Sequence, residues 1–554
     1  MNYYDLGTYS RPITTTSPDA QLWFDRGLNW TYGFNHEEAI RCFEKAIAAD
    51  PDSALAHWGL SYAYGPYINK EWRFYAHDEL ERVLPIMINA AERAQQLAQS
   101  DLEAALANAL LVRCQSATPR PILEMDQWNH DFADAMLAVY AQFPEDQDVI
   151  AITVEALMMK TPWKLWDQFT GEPAGGAATL QMVDILNAGM ALTKSADLAP
   201  HPGICHMVIH TLEMSTIPEQ GMEAADYLRD LMPDCGHLQH MPTHIDVLCG
   251  RYHDAVIASE KSIAADKKYL AQVGPYGQYT AAVCHDNHLM MFASMFLGRW
   301  ETAIDAADMI CDIVTDEVLQ RSTPAFQITL EAYFSMRMHV FMRFGKWEEI
   351  VAEPMPKNPN LYPVTTAMHH YAKATAHATL GDFEAAEAER QAFEKTIQTI
   401  PEERHLFNNS SHTVLAIARN MMLGEIAYHS GRYDDSFSHL RQAVEQNDHL
   451  FYTEPWAWMH PPRHALGALL LAQDHVEEAL AVYRADLGLD GYVSRSTIHP
   501  DNVWSMHGLV ECCDRLGMGA AAAEWRPKLE AALELADVPI TSSCACRKMG
   551  GCCH

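Results

Sequence analysis

Small and aromatic residues recur at helical spacing along most of this chain. From Trp23 it reads WFDRGLNWTYGFNHEEAIRCFEKAIAADP, where Trp23 and Gly27, then Ala39, Phe43 and Ala46, fall three or four residues apart among polar positions. That spacing puts each set on one face of an α-helix, and Pro51 stops the second helix. The pair predicts an antiparallel hairpin in which small residues let the two helices approach while aromatics fill the gap to the next hairpin. Later segments keep the punctuation: a Gly, an aromatic two residues on, a small residue three beyond. Gly250, Tyr252 and Ala255 show it, as do Gly298, Trp300 and Ala303, then Gly345 with Trp347, Gly381 with Phe383 and Ala386, and Gly431 with Tyr433. The Gly ends each first helix in the left-handed conformation and so fixes the register. Seven or more hairpins are expected, in an all-α chain.

Where the pattern breaks, loops are expected. TPWKLWDQFTGEPAGGAA (161–178) is rich in Gly and Pro, and further insertions fall near 267–279 and 452–462. Insertions in a repeat array gather over one face, often the binding face, so these three are expected to rim a pocket. Trp163, Trp166 and Asp167, with His57 and Trp58, are candidate wall residues, although aromatics at such spacing more often belong to a core. The organisation predicted is an N-terminal arm (1–19), one continuous helical array (20–538) and a Cys-rich tail (539–554), with no clear domain boundary inside the array.

Composition narrows the function. In 554 residues, 49% are hydrophobic and 20% charged, a globular balance. The 39 basic residues face 73 acidic ones, a formal charge of −34. That excess opposes binding to a phosphate backbone or an anionic membrane surface, so neither nucleic acid nor membrane is expected as a partner. Residues 1–17 lack a basic and an apolar signal region, and no apolar run reaches spanning length, which makes the cytoplasm the expected location. Most of the 13 cysteines, such as Cys42, Cys114 and Cys249, lie within helical patterns as expected of buried thiols in a reducing compartment. The tail is different. Cys544, Cys546, Met549, Cys552, Cys553 and His554 crowd together as a soft-ligand set suited to Cu(I) or zinc, or as thiols that simply pair with one another.

The chemistry concentrates between His201 and His288. In HPGICHMVIHTLEMS, His206, His210 and Glu213 are spaced i, i+4, i+7 on one helix face. In GHLQHMPTHIDVLCG, His237, His240 and His244 are spaced i, i+3, i+7, with Pro242 expected to kink the helix and re-aim His244. In HDNHLMMFASMFLG, His285 and His288 are i, i+3. His237 and His285 each lie thirteen residues before a register Gly, so they are equivalent positions in consecutive hairpins, and His240 matches His288. A lone His on a helix is more often packing than ligand. Matched stripes on neighbouring helices instead suit a transition-metal site of one or two ions. Copper is favoured, with zinc or iron as alternatives. Glu213 and His244 are the candidate catalytic groups, Glu213 as ligand or general base. His201, His464, Cys544 and Cys546 are secondary ligand candidates, and His339, His507 and Arg463 are weaker inward-facing ones.

The run from Trp23 to Pro51 resembles the tetratricopeptide repeat, which implies an α-solenoid of antiparallel helix hairpins whose first-helix positions line a concave groove. Beyond the repeat, AHWGL, PWKLWD, the HPG followed by IHTLE, HLQHMPTHI, GRYHDAVIASEKSIAAD and SSCACR together resemble a family of bacterial and fungal tetratricopeptide proteins over nearly the whole chain. The resemblance implies the fold and the site but supplies no reaction. Three functions are weighed: a copper-dependent, O2-using oxidoreductase acting on a small molecule, a hydrolytic zinc site, and a scaffold that binds a peptide or protein partner in the groove.

Overall fold

A computed structural model describes residues 3–491 and 493–547. The chain is an all-α, tetratricopeptide-like α-solenoid of antiparallel helix hairpins. Among the described residues the only paired strands are His405–Leu406 and Asn409–Ser410, two residues each. The fold divides into two compact units. One comprises Met1–Ile245 with Lys261–Thr280, the other Asp246–Glu260 with Ala281–His554.

In the first unit, helices Pro18–Tyr32 and His36–Ala49 form the opening hairpin. Ser17 and Asn35 accept backbone N–H bonds with their side chains and so satisfy the exposed donors at each start. The Phe43 ring sits between two glycines: a Cβ on Gly27 would lie 2.7 Å from it and one on Gly59, in the next helix, 2.4 Å. The second unit repeats the device, with Tyr483 against Gly467 and Gly508, where a Cβ would lie 2.5 and 2.2 Å away. Absent Cβ atoms thus let rings seat directly on the neighbouring backbone. The register glycines Gly250, Gly298, Gly345, Gly381 and Gly431 all adopt left-handed backbone, with φ between 64 and 89°. The first hairpin differs: its left-handed residue is Phe34, at φ 54°.

Two sequence expectations need correction. The loop expected near 267–279 begins later, at 274–279, because helix Tyr252–Val273 runs unbroken until Gly274 turns at φ 76°. No breaker precedes that Gly. Residues 539–547 of the tail pack within the second unit: Cys544 and Cys546 are joined as a disulfide, and the Ser543 hydroxyl bonds that of Tyr483. Those two cysteines offer no thiolate to a metal. Met549, Cys552, Cys553 and His554 lie outside the described residues. Elsewhere 161–178 is non-helical and the next helix begins at Thr179, while the helix after the 452–462 insertion begins at Pro462. Residues of the N-terminal arm are pinned by Arg11 on Asp146 and Asp148 and by the Tyr9 hydroxyl on Asp148.

A methyl at Gly59 would overlap the Phe43 ring, which is itself buried and cannot swing away. Gly59→Ala is expected to lower stability by about 1–3 kcal/mol, read as a fall in the midpoint of thermal unfolding. Gly381→Ala, where a Cβ meets nothing within 4 Å but φ is 89°, separates backbone strain from overlap.

Candidate metal centre

Helix Pro202–Leu212 starts with His201, whose Nδ1 accepts the Ile204 N–H, followed by Pro202 in the first turn. His201 Nε2 in turn donates to Asp148 Oδ1 at 3.1 Å. Both ring nitrogens are therefore engaged, and His201 caps a helix rather than offering a ligand atom. Further along, His206 and His210 share one face, and Glu213 follows at the helix end. The second His-bearing stretch is broken, as Pro242 lacks the N–H to continue: Gly236–His240 carries His237 and His240, and Pro242–Leu248 carries His244. Gly236 lets this turn press against Asp266, where a Cβ would lie 2.0 Å from the carboxylate, and the His237 N–H reaches the Tyr279 hydroxyl at 3.1 Å.

Six groups of the first unit meet in one buried volume: His206, His210, Glu213, His237, His240 and His244 are each at most 1% exposed. They divide into two sets. His206, His210 and His237 present ligand nitrogens within 4.8 Å of one another. The Nδ1–H of His206 donates to the Tyr32 carbonyl at 2.7 Å, which leaves Nε2 as the lone-pair nitrogen, buried and without a hydrogen-bond partner among the described residues. Burial, then the neighbouring His210, holds the His206 pKa well below its ordinary value, so the ring is neutral.

The second set is a chain of hydrogen bonds. Glu213 accepts from His210 Nδ1 at 2.7 Å through one oxygen and from His244 Nδ1 at 2.6 Å through the other. His244 Nε2 lies 2.7 Å from His240 Nε2, and Thr243 Oγ1 3.4 Å from His240 Nδ1. One proton order satisfies every link: Thr243 donates to His240, His240 to His244, His244 to Glu213, and His210 to Glu213 from the other side. The 2.7 Å His240–His244 separation is hydrogen-bond length, a little under the about 3.3 Å between two ligands of one tetrahedral ion, and both residues also belong to possible ligand groups. The sequence expectation for Glu213 as general base changes accordingly. Both oxygens hold imidazole N–H groups, and Glu213 orients His210 and His244.

A feature the sequence reading passed over covers the ligand set. The Phe34 ring lies 4.3 Å from His206 and stacks on His210 at 5.8 Å and His237 at 5.4 Å. Phe34 stands five residues before Ala39, as Gly250 stands five before Ala255. It holds the left-handed slot that a Gly fills elsewhere, at a cost of about 1 kcal/mol or more. That register mismatch was visible in the sequence. Phe34 also borders a cavity of about 100 Å³ lined by His36, Tyr67, Lys70, Glu79 and Tyr279. The loop at 161–178 adds Trp163, edge-on to His210 at 5.9 Å with its N–H on the Ile68 carbonyl, and Trp166, whose N–H donates to Thr211 at 2.6 Å. Asp167 instead closes its own loop through the N–H groups of Phe169 and Thr170. His57 and Trp58 are elsewhere: His57 bonds the Pro51 carbonyl and Trp58 stacks on Tyr62.

The remaining candidates belong to the second unit. His288 donates from Nε2 to Met459 Sδ at 2.9 Å and stacks on Phe407, while His285 lies 6.4 Å from the Tyr333 ring. His464 has both nitrogens engaged, Nδ1 by the Arg343 guanidinium and Nε2 by Asp486 at 2.9 Å, and so is no ligand here. Arg463 pairs with Asp448, and His507 is half-buried.

A tetratricopeptide-repeat model matches residues 21–53, the opening hairpin. No curated protein matches the chain. Among solved structures it is similar to the human IFIT1 dimer with m7Gppp-AAAA (11% identity, 95% of this chain and 92% of that one, TM-score 0.31). It is similar also to yeast Tom70 (12%, 94% and 92%, 0.30) and to Cut9 with Hcn1 from the APC/C (12%, 93% and 93%, 0.27). No helix among the described residues is long and apolar enough to cross a membrane.

Removing the Phe34 ring should expose the imidazoles beneath it. Phe34→Gly, which also relieves the backbone, is expected to raise the rate at which diethyl pyrocarbonate modifies His206, His210 and His237 at least several-fold, mapped by peptide mass spectrometry. An unchanged rate would mean that other groups cover the site.

Burial also lowers the pKa of His36 and His339 to about 3 and of His369 and His464 to about 4. In the unfolded chain these rings titrate near 6.5, so below that pH the unfolded state binds protons that the native state refuses. Stability is full above pH ~6.5 and falls as pH drops toward 4, by about 1.4 kcal/mol per pH unit for each such ring. Thermal unfolding followed from pH 7 to 4.5 should show this steep decline; a flat profile would contradict it.

Proposed function

We propose that the first unit is a metal-dependent oxidoreductase centre, with His206, His210 and His237 as ligands and His240, His244 and Glu213 as a proton relay beside it. The observation that carries this reading is His206: its Nδ1 is tied to a backbone carbonyl, and its Nε2 is buried beside two further imidazoles with no partner among the described residues. Imidazoles oriented this way by a carbonyl or carboxylate on the far nitrogen are a recurrent feature of metal sites. His210, held by Glu213 through Nδ1, fits the same scheme. The nitrogens need to close by at most about 1.5 Å to share one ion, a side-chain movement.

Three neutral nitrogens with an open position suit copper, iron or zinc. Copper is the working choice, and when bound it would supply one-electron chemistry with dioxygen and a small organic substrate. The chain's own residues then have distinct tasks. Phe34 excludes water from the ligand nitrogens, and the small cavity beside it suits a small molecule. His240 and His244 hand a proton along Nε2–H···Nε2, and Glu213 holds the receiving imidazole by Nδ1. A hydrolytic zinc site is less well supported because Glu213, its water-activating base, has both oxygens committed to imidazoles. A groove scaffold, the other reading, gives no reason for buried imidazoles.

Full-length protein purified without a histidine tag or added metal is expected to hold about one metal ion per chain by elemental analysis. His206→Ala and His237→Ala should lose it, whereas His244→Ala should keep the metal and shift the pH profile of any turnover. Metal content unchanged in both ligand variants would end the proposal. A colourless protein holding only zinc would remove copper.

A further inference from the structure

The stretch 65–76, between helices Ala54–Tyr64 and His77–Leu97, builds one wall of a cavity that the proposed centre only borders. Tyr67 and Lys70 pair backbone to backbone there, with N–H to carbonyl distances of 3.2 and 2.8 Å, a tight turn that fixes both side chains. The Tyr67 ring stacks on His36 at 4.0 Å and meets Phe34 at 5.1 Å. These three rings, with Tyr75 and the buried Val83, line the space of about 100 Å³. Phe34 also lies 4.3 Å from His206, so one ring is a wall of both the cavity and the proposed ligand set.

Two polar groups on these stacked rings are left over. His36 Nδ1–H donates to the Ala63 carbonyl at 3.0 Å, which leaves Nε2 as the lone-pair nitrogen, buried and without a hydrogen-bond partner among the described residues. Burial, then Arg113, brings the ring down to about 3, so it is a neutral acceptor. The Tyr67 hydroxyl likewise has no hydrogen-bond partner among the described residues, and burial, then Glu37, raises its pKa and keeps its proton on. A ligand hydroxyl can donate to the first and pair with the second.

Charges around the cavity are already matched. Lys70 Nζ lies 2.6 Å from Glu79 and 4.1 Å over the Tyr75 ring, so it occupies the place a ligand cation would take against that ring. Glu37 accepts the Tyr279 N–H at 3.5 Å, and Arg82 is exposed at the rim. Two cations face two carboxylates, and a ligand charge of either sign would meet a like charge without gaining a free partner. A neutral ligand meets neither cost. Ring-lined walls with few polar groups favour a flat aromatic body, and since an apolar cavity of about 150 Å³ is enough to hold benzene, the space here takes a single ring.

We propose that this cavity binds a neutral, single-ring phenol, its ring among Phe34, Tyr67 and Tyr75 and its hydroxyl between His36 Nε2 and the Tyr67 hydroxyl. That such a phenol is the small organic substrate of the metal centre rests on the function proposed for that centre; that it binds here does not, since none of these residues is a proposed metal ligand.

Calorimetry on the full chain, as purified and after treatment with a chelator, tests this with phenol as the probe and toluene, benzoate and benzylamine as comparisons. Phenol is expected to bind with and without metal, and several-fold more tightly than any of the other three. Tyr67→Phe, which removes only a hydroxyl, should stay folded and bind phenol about fivefold more weakly. Ile40→Phe, which fills the cavity from a half-buried edge, should abolish binding. No binding of phenol at millimolar concentration, equal binding of toluene or of either charged probe, or equal binding by wild type and either variant would overturn the proposal and leave the cavity to water, whatever the metal analysis gives. Phenol bound by a chain that holds no metal would uphold the cavity and end only its link to the centre.

Discussion

Rings seated on glycine set the distance between successive helices, and the candidate centre depends on that distance. Phe43 between Gly27 and Gly59 fixes the opening hairpin against the next helix. A second close approach carries this forward: a Cβ on Gly203 would lie 2.6 Å from the Tyr32 ring, so helix Pro202–Leu212 rests directly on the end of the first helix. Only at that separation does the Tyr32 carbonyl reach His206 Nδ1. The Tyr32 hydroxyl, bonded to Asp148 alongside His201, locks the same contact from its other end. A hydrogen bond that chooses a tautomer is thus the last link of a packing chain built from missing methyl groups.

Buried groups here are held by networks with very different degrees of completion. Around Asp148 every atom is spoken for, with Arg11, Tyr9, Tyr32 and His201 converging on one carboxylate whose pKa falls to a low value despite burial. Asp486 is equally complete, with His464, His499, Asn502 and Ser505. Such sites rigidify a fold. Elsewhere a number of buried polar atoms, His206 Nε2 among them, have no hydrogen-bond partner among the described residues.

Much of this was legible in the sequence, and the failures have physical causes. Helical spacing alone placed His206, His210 and Glu213 on one face, and the register paired the hairpins. Division of labour among the imidazoles was not legible, since it depends on which nitrogen each neighbour engages. His201 reads as a ligand by type, yet a residue directly before Pro at a helix start is placed to cap, and it does. Glu213 reads as a base until two imidazoles are found on its two oxygens. Phe34 escaped because the register was read for the glycines it contains and not for the slot where one is missing. Cys544 and Cys546 read as soft ligands by type, and their pairing with one another engages both sulfurs.

The proposed split between ligands and relay rests on distance and valence. A carboxylate accepting two imidazole N–H groups fixes both partners with their Nε2 nitrogens outward, but those nitrogens meet different surroundings. His244 meets His240 at hydrogen-bond length, so one of the pair must carry a proton and neither can give a lone pair without breaking the bond. His210 meets His206 and His237 at a wider spacing that an ion can fill. A cation bound to His210 would acidify its Nδ1–H and tighten the bond to Glu213, drawing electron density from the carboxylate that also holds His244. Charge at the metal and proton position in the relay are then linked through one side chain, and Glu213→Gln, which keeps the shape but cannot accept from both rings, would uncouple them.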